Sequence, residues 1–133
     1  MSFYGTMFDT DDPTPTRPHI LVVDDEPLLR MVLVDLLEGE GYAVREASDA
    51  AEALALLKAE PAFRIVVTDI QMPGSMDGLR LAQYIHDAYP PIALIICSGA
   101  VSPDRTALPD QAVFMPKPVD RALLISTVRS MAA

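Results

Sequence analysis

The segment ILVVDDEPLLR, residues 20–30, carries the pattern on which the rest of the chain is built. Its apolar run Ile20–Val23 shows no alternation, which is typical of a parallel strand buried on both faces. Two aspartates follow the run, and Pro27 then suits the first turn of a helix. The order strand, acidic turn, helix predicts the first β/α unit of an α/β fold.

Three further apolar runs also lead into a polar residue that can take part in chemistry. They are Ile65–Thr68 before Asp69, Ile92–Cys97 before Ser98, and Ala112–Met115 before Pro116 and Lys117. Residues Tyr42–Ala47 supply one more strand. Segments with helical spacing lie between the runs, so the sequence predicts five β/α units. Right-handed crossovers then give a parallel sheet covered by helices on both faces.

The predicted helices have recognisable start and stop signals. In the first helix, Gly39 and Gly41 end an apolar stripe. The stripe consists of Leu29, Val32, Leu33, Leu36 and Leu37. Asp49 with Glu52 resembles a capping box at the start of the second helix, and Asp120 is placed to cap the last one.

Two segments fit the alternating pattern poorly. Residues 1–18 combine aspartates, prolines and threonines, and they predict a flexible acidic tail before a domain that spans residues 19–133. Residues 102–110 contain two prolines, which predicts a short or distorted helix between the fourth and fifth strands.

Composition and charge exclude several classes of protein. The chain has 133 residues, half of them hydrophobic, which fits one domain with a proper core. A net charge of −9 argues against direct binding to nucleic acid or to an anionic membrane, which need basic patches. The single cysteine cannot form an internal disulfide, and neither a signal peptide nor a membrane span is evident, so we expect a cytoplasmic protein.

The polar residues after the strands are expected to meet at one place. In a parallel sheet the carboxyl ends of the strands share one edge, and ligands bind there. This edge would collect Asp24, Asp25, Asp69, Ser98 and Lys117. Three carboxylates, a hydroxyl and an ammonium suit a divalent cation such as Mg²⁺ together with a phosphoryl group.

Each of these residues also has an ordinary structural interpretation. Asp25 or Glu26 beside Pro27 could cap a helix, and Asp69 could be a turn residue. Ser98 could cap or turn the chain, and Lys117 could be a solvated charge. The alternative for Asp69 is a nucleophile that forms an aspartyl phosphate.

The neighbours of these residues add three expectations. Prolines flank Lys117 and fix its position, and the Lys117–Pro118 peptide is a candidate for the cis form. Gly99 would leave space open beside Ser98. Cys97 lies inside an apolar run, which predicts a buried structural thiol.

Four motifs together resemble the receiver domain of two-component response regulators. They are ILVVDDEPLLR (20–30), VVTDIQMPGSMDGL (66–79), IICSGA (95–100) and VFMPKP (113–118). They stand in the family's order and spacing and cover roughly residues 18–131. The resemblance implies a flavodoxin-like (βα)5 fold with strand order 2-1-3-4-5.

The resemblance also implies a role for each site residue. Asp69 would be the phosphoacceptor and, with Asp25 and the backbone carbonyl of Gln71, a direct Mg²⁺ ligand. Asp24 would hold the metal through water, and Mn²⁺ could replace Mg²⁺. Lys117 and Ser98 would bind the phosphoryl group, and Phe114 would be the switch aromatic.

The implied function is a phosphorylation-dependent signalling switch, with no output domain after it and with no enzyme activity beyond its own phosphorylation and dephosphorylation. The phosphoryl donor would be a sensor histidine kinase or a histidine phosphotransfer protein. The downstream protein is not identified by the sequence, and a homodimer is an open alternative.

Two departures and two competing interpretations accompany the resemblance. The loop Gly74–Met76 is one residue longer than the common form, and Ala100 with the segment after it predicts an atypical fourth helix. A haloacid-dehalogenase-like phosphatase would need a D-x-D motif after its first strand and a cap domain, whereas the acids here are adjacent. A degenerate receiver acting only as a scaffold would not need the intact acid, hydroxyl and lysine set.

Overall fold

A computed structural model describes residues 18–60, 62–72, 74, 76–99 and 108–133. Strands and helices alternate along this part of the chain. In order they are β1 (His19–Val23), α1 (Pro27–Gly39), β2 (Ala43–Ala47), α2 (Ala50–Ala59), β3 (Phe63–Asp69), α3 (Gly78–Ala88), β4 (Ala93–Ser98), β5 (Val113–Pro116) and α4 (Arg121–Ala132). The predicted tail up to residue 17 and the segment 100–107 lie outside the described residues.

The five strands form one parallel sheet in the order β2-β1-β3-β4-β5. This confirms the predicted fold class and strand order. Pro18, at the predicted boundary of the domain, accepts a hydrogen bond from the backbone N–H of Ala43 at 3.1 Å. No helix among the described residues has the length and apolar content needed to cross a membrane.

Two apolar layers cover the two faces of the sheet, as expected for a doubly wound fold. Helices α2 and α3 pack on one face through Ala53, Leu57, Leu81 and Ile85. Helices α1 and α4 pack on the other face through Leu33, Val34, Leu37, Leu124 and Val128. The central strands are therefore buried on both sides, which explains why their sequences are apolar without alternation.

The predicted stripe of α1 is wrong at one position. Val32 is 40% exposed, whereas Val34, which was left out of the stripe, is buried beside Leu33 and Leu37. Val32 and Val34 flank the buried Leu33, and each is rotated from it by about 100° around the helix axis. Spacing alone therefore could not decide which valine faces the sheet.

Helices α2, α3 and α4 each begin with an aspartate that caps the first turn. The side chains of Asp49, Asp77 and Asp120 accept hydrogen bonds from the backbone N–H three residues later. The caps predicted at Asp49 and Asp120 are therefore confirmed. Glu52 turns back to the backbone N–H of Ser48 at 2.7 Å rather than to that of Asp49, so the box closes one residue earlier than the standard motif.

Candidate metal and phosphoryl site

The strand ends bring the predicted site residues to one edge of the sheet. Asp69 and Ser98 are the last residues of β3 and β4. The sequence predicted that these strands end one residue earlier, at Thr68 and Cys97. Asp69 belongs to the strand because it pairs with Cys97 across the β3–β4 ladder. Asp24 follows β1, which lies next to β3, so these two aspartates lie side by side.

The three aspartates form a compact acidic cluster. One carboxylate oxygen each from Asp24, Asp25 and Asp69 lie within 4.8 Å of one another. Asp24 and Asp69 are buried, at 2% and 7% exposed, whereas Asp25 is exposed. Like charges at this distance repel, most strongly where water is excluded, so the cluster needs a positive partner.

Lys117 supplies part of that positive charge. Its Nζ donates to Oδ2 of Asp69 at 3.0 Å and to Oδ2 of Asp24 at 3.2 Å. Burial by itself lowers the pKa of Lys117, but the hydrogen bonds and charges of Asp69 and Asp24 outweigh that effect and raise the pKa. Three carboxylates and one ammonium leave two negative charges, which a divalent cation would neutralise.

The turn after β1 uses Asp24 in a way that the capping interpretation did not anticipate. Oδ1 of Asp24 accepts a hydrogen bond from the backbone N–H of Glu26 at 2.9 Å. Glu26 occupies the N-cap position of α1 but makes no side-chain cap bond, and Pro27 begins the helix. Asp25 is the exposed member of the cluster, and its carboxylate is accessible to a cation.

The loop after β3 returns to the backbone of Asp69. The backbone N–H of Gln71 donates to Oδ1 of Asp69 at 3.3 Å, and that of Gly78 donates to the carbonyl of Ile70 at 2.8 Å. A Cβ added to Gly78 would lie 1.5 Å from the carbonyl oxygen of Asp69. Gly78 is thus a site residue for which the sequence motif predicted no individual role.

The second half of the sheet contributes the hydroxyl, the lysine and the aromatic. Ser98 is 3% exposed, and its carbonyl accepts from the backbone N–H of Lys117 at 2.9 Å. The Lys117–Pro118 peptide bond is cis. Phe114 on β5 is half-buried and pairs with Ile96 on β4. Two residues later, Pro116 pairs with Ser98. Because side chains alternate along a strand, Phe114 and Ser98 share one face of the sheet.

Two neighbours of the site have structural functions. Cys97 is buried in the layer between the sheet and helices α1 and α4, as predicted. Burial raises the pKa of its thiol to about 12; the charge of Lys117 lowers it, and the charges of Asp69 and Asp24 raise it further. A Cβ on Gly99 would lie 3.4 Å from Cβ of Lys117, so the glycine leaves room beside the lysine stem.

The donor set fits a hard divalent cation. Carboxylate oxygens are the preferred ligands of Mg²⁺, which commonly uses one or two carboxylates and keeps several waters. Asp25 is exposed enough for solvent to complete such a shell. Asp69 belongs to the cluster and accepts a hydrogen bond from Lys117, so a phosphoryl group on it would lie near both the cation and the ammonium.

The chain matches the family model described as the response regulator receiver domain over residues 20–129. The transcriptional regulatory protein GlrR of Escherichia coli is 36% identical over 114 residues, which is 83% of this chain and 25% of GlrR. The sensor kinase CckA of Brucella abortus is 37% identical over 116 residues, which is 84% of this chain and 12% of CckA. The chain thus spans a quarter or less of these relatives.

Solved structures agree with the sequence comparisons. The receiver domain of NtrX from Brucella abortus superimposes with a TM-score of 0.77 at 34% identity, covering 85% of this chain and 97% of that domain. A CheY-like receiver domain protein from Methanospirillum hungatei gives a TM-score of 0.78 at 30% identity, covering 87% of this chain and 94% of its own.

Proposed function

Because the chain belongs to the response regulator receiver domain family, we propose that it is a phosphorylation-dependent switch of a two-component phosphorelay, with Asp69 as the phosphoacceptor. One observation carries the proposal. The carboxylate of Asp69 lies within 4.8 Å of two further carboxylates and accepts a hydrogen bond from the ammonium of Lys117. This arrangement offers a nucleophile, a cation site and a phosphoryl partner together.

The transfer would be an in-line displacement at phosphorus. A carboxylate oxygen of Asp69 attacks the phosphoryl group of a phosphohistidine, the O–P bond forms, and the N–P bond to the imidazole breaks. Asp24, Asp25, Asp69 and the carbonyl of Gln71 would hold Mg²⁺, which when bound supplies neutralising charge for the phosphoryl oxygens. Mn²⁺ would serve as a substitute.

The switch would follow from the charge that the phosphoryl group adds. That group brings about −1.5 to −2 charges and three acceptor oxygens. Lys117 would pair with one of these oxygens and Ser98 would donate its hydroxyl to another. Phe114 shares the face of Ser98, so it would occupy the space that the Ser98 side chain leaves when it turns toward the phosphoryl group. Phosphorylation would thereby shift a pre-existing equilibrium of the surface around β4 and β5.

The phosphoryl donor would be a histidine kinase or a histidine phosphotransfer protein. Next to Asp25, helix α1 exposes three apolar side chains: Leu28 at 75%, Met31 at 51% and Val32 at 40%. Leu28 and Val32 line one surface depression together with Asp25, so a donor that reaches the acidic cluster would contact this surface. The downstream partner would be another protein rather than nucleic acid, because the net charge is −9. A homodimer remains an open alternative, and we propose a cytoplasmic location.

A phosphorylation assay tests the proposal. We expect acetyl phosphate with MgCl₂ to add one phosphate that hydroxylamine removes, as for an acyl phosphate, and Asp69→Asn to abolish uptake. Asp87→Asn, which changes an exposed aspartate on α3, is the matched control and should behave like the parent protein.

Each competing function predicts a different outcome. We propose no enzyme activity beyond the protein's own phosphorylation and dephosphorylation, so turnover of an added phosphomonoester would favour the phosphatase. Absence of uptake by the parent protein would favour the scaffold. Equal uptake by Asp69→Asn would show that another residue is the acceptor.

A further inference from the structure

Arg30 connects the acidic cluster to the edge strand β2. From α1, its Nη1 donates to the backbone carbonyl of Asp24 at 2.7 Å, and its Nε donates to Oε1 of Glu46 on β2, also at 2.7 Å. The Arg30 side chain is 18% exposed and that of Glu46 is 52% exposed. A planar guanidinium can hold two acceptors in one fixed geometry, which a lysine cannot.

Strand β2 therefore holds Asp24 at both ends of the residue. The backbone N–H of Asp24 donates to the carbonyl of Ala47 at 3.1 Å, and the Asp24 carbonyl is held by Glu46 through Arg30. The carboxylate has its own partners, Lys117 and the backbone N–H of Glu26. These bonds fix the orientation of the peptide between Asp24 and Asp25. They thereby also fix the direction of the Cα–Cβ bond of the exposed Asp25.

The positive charge of Arg30 is balanced by Glu46. A guanidinium beside a cation site repels the cation unless its own charge is neutralised. Glu46 provides that neutralisation at 2.7 Å and draws the guanidinium toward β2. Arg30 can therefore orient Asp24 through its Nη1 donor without repelling a cation, because Glu46 balances its charge.

We propose that Arg30, held and neutralised by Glu46, is a positioning residue that sets the divalent-cation affinity of the Asp24–Asp25–Asp69 cluster. The proposal rests on the proposed function, since it assumes that the cluster binds Mg²⁺. Partners that orient metal-binding groups typically change metal affinity by about 10- to 100-fold when they are removed. An ion pair that only tied α1 to β2 would leave the affinity unchanged.

The test measures Mn²⁺ and Mg²⁺ dissociation constants of the full chain by water-proton relaxation and calorimetry. We expect Arg30→Met and Arg30→Lys each to weaken binding by about tenfold, because neither can hold both acceptors. Glu46→Gln should also weaken binding, because the guanidinium is left unneutralised. In an Arg30→Met background, Glu46→Gln should have no further effect.

Salt separates the two causes. The deficit of Glu46→Gln relative to the parent protein should shrink as ionic strength rises, because screening weakens repulsion by the free guanidinium. The deficit of Arg30→Met should persist, because it comes from lost positioning.

The neighbouring ion pair is a matched control. Arg45 lies next to Glu46 on β2 and pairs with Glu60 at 2.6 Å, outside the cluster. Arg45→Met and Glu60→Gln should bind the cation within twofold of the parent protein. Equal losses in these controls, or parent-like affinity in folded Arg30→Lys, would overturn the proposal. If the parent protein binds no divalent cation, the proposed function fails and this inference fails with it.

Discussion

Gly78 shows how strongly a single missing side chain can constrain this site. No side chain fits at this position, because a Cβ would lie 1.5 Å from the carbonyl oxygen of Asp69 and 2.9 Å from Cα of Ile70. Backbone atoms of a central strand cannot give way as the end of a flexible side chain could. Either the strand end or the first turn of α3 must move when Gly78 is replaced.

Replacement of Gly78 by alanine should therefore destabilise the protein by about 3 kcal/mol or more, measured by urea unfolding. Gly39→Ala is the matched control, because no atom beyond its chain neighbours and the backbone of its own helix lies within 4 Å of its would-be Cβ at the end of α1. That control should stabilise the protein by about 0.4–1 kcal/mol through the unfolded state. Similar stabilities for the two variants would contradict the packing interpretation.

Cys97 gives a prediction about pH at the same scale. Burial raises its pKa from 9.0 to about 12, so the folded protein keeps the thiol protonated where the unfolded chain would ionise. The corresponding stability is complete below pH 9 and is lost as pH rises from 9 toward 12.

A chromogenic disulfide reagent at pH 8 should therefore react with Cys97 slowly in buffer and rapidly in urea. Ser126→Cys in a Cys97→Ala background places the thiol on the exposed side of α4 and should react rapidly in buffer. Equally fast reaction of folded Cys97 would show that the thiol is accessible.

The sequence could identify site residues only where a local pattern marked them. Asp24, Asp69 and Lys117 were predicted to meet because each follows a strand and parallel strands share an edge. Gly78 and Arg30 were missed because their contacts depend on how the loop after β3 folds back on the strand and on how α1 packs against β2. Nothing in the local pattern shows that a loop glycine meets the backbone of Asp69, or that an arginine on α1 faces β2.

Among the elements, the starts of α2 and α4 were predicted correctly because capping is a local interaction. Asp49 accepts from the backbone N–H of Glu52 at 2.9 Å without help from distant residues. Helix α1 begins differently, because the buried Asp24, two residues before the N-cap Glu26, accepts the hydrogen bond and no capping side chain is used. Its start thus depends on the same carboxylate that contributes to the acidic cluster.

Asp49→Ala should cost about 1 kcal/mol of unfolding free energy, because the first turn of α2 loses its acceptor. Asp49→Asn keeps an acceptor oxygen and should retain most of that stability. Chemical denaturation of both variants distinguishes the cap from a general effect of charge. A loss as large for asparagine as for alanine would show that the negative charge, and not the hydrogen bond, stabilises α2.

Strand ends and helix faces were predicted less precisely than helix starts. The third and fourth strands each extend one residue beyond the predicted end, because Asp69 and Ser98 still pair across the sheet. The exposure of Val32 and the burial of Val34 depend on the rotation of α1 against the sheet, which only tertiary packing determines.

For the molecule as a whole, the acidic cluster couples folding to cation binding. Folding brings Asp69 to Asp24 and Asp25, from which it is far apart in the unfolded chain, so the metal-free fold carries a repulsion that a divalent cation would remove. A ligand that binds only the folded state stabilises it by about 2.7 kcal/mol at one hundred times its dissociation constant.

Asp25→Asn should raise the metal-free unfolding temperature slightly, because Asp25 is exposed and its replacement relieves repulsion. The same variant should lose the stabilisation that Mg²⁺ gives to the parent protein. Thermal unfolding with EDTA and with MgCl₂ measures both effects, and Asp35→Asn on the exposed side of α1 serves as the control. A full Mg²⁺ shift in Asp25→Asn would exclude Asp25 from the cation site.

The outer strands of the sheet limit how molecules of this protein can associate. Strand β2 is five residues long and presents Arg45 and Glu46, and β5 is four residues long and ends in Pro116. Short, charged or proline-terminated edges resist the addition of a strand from another chain. Molecules in concentrated samples should therefore not associate by extending the sheet from one copy to the next. Any contact between copies is left to helices and loops, whose side chains evolution can vary without disturbing the sheet.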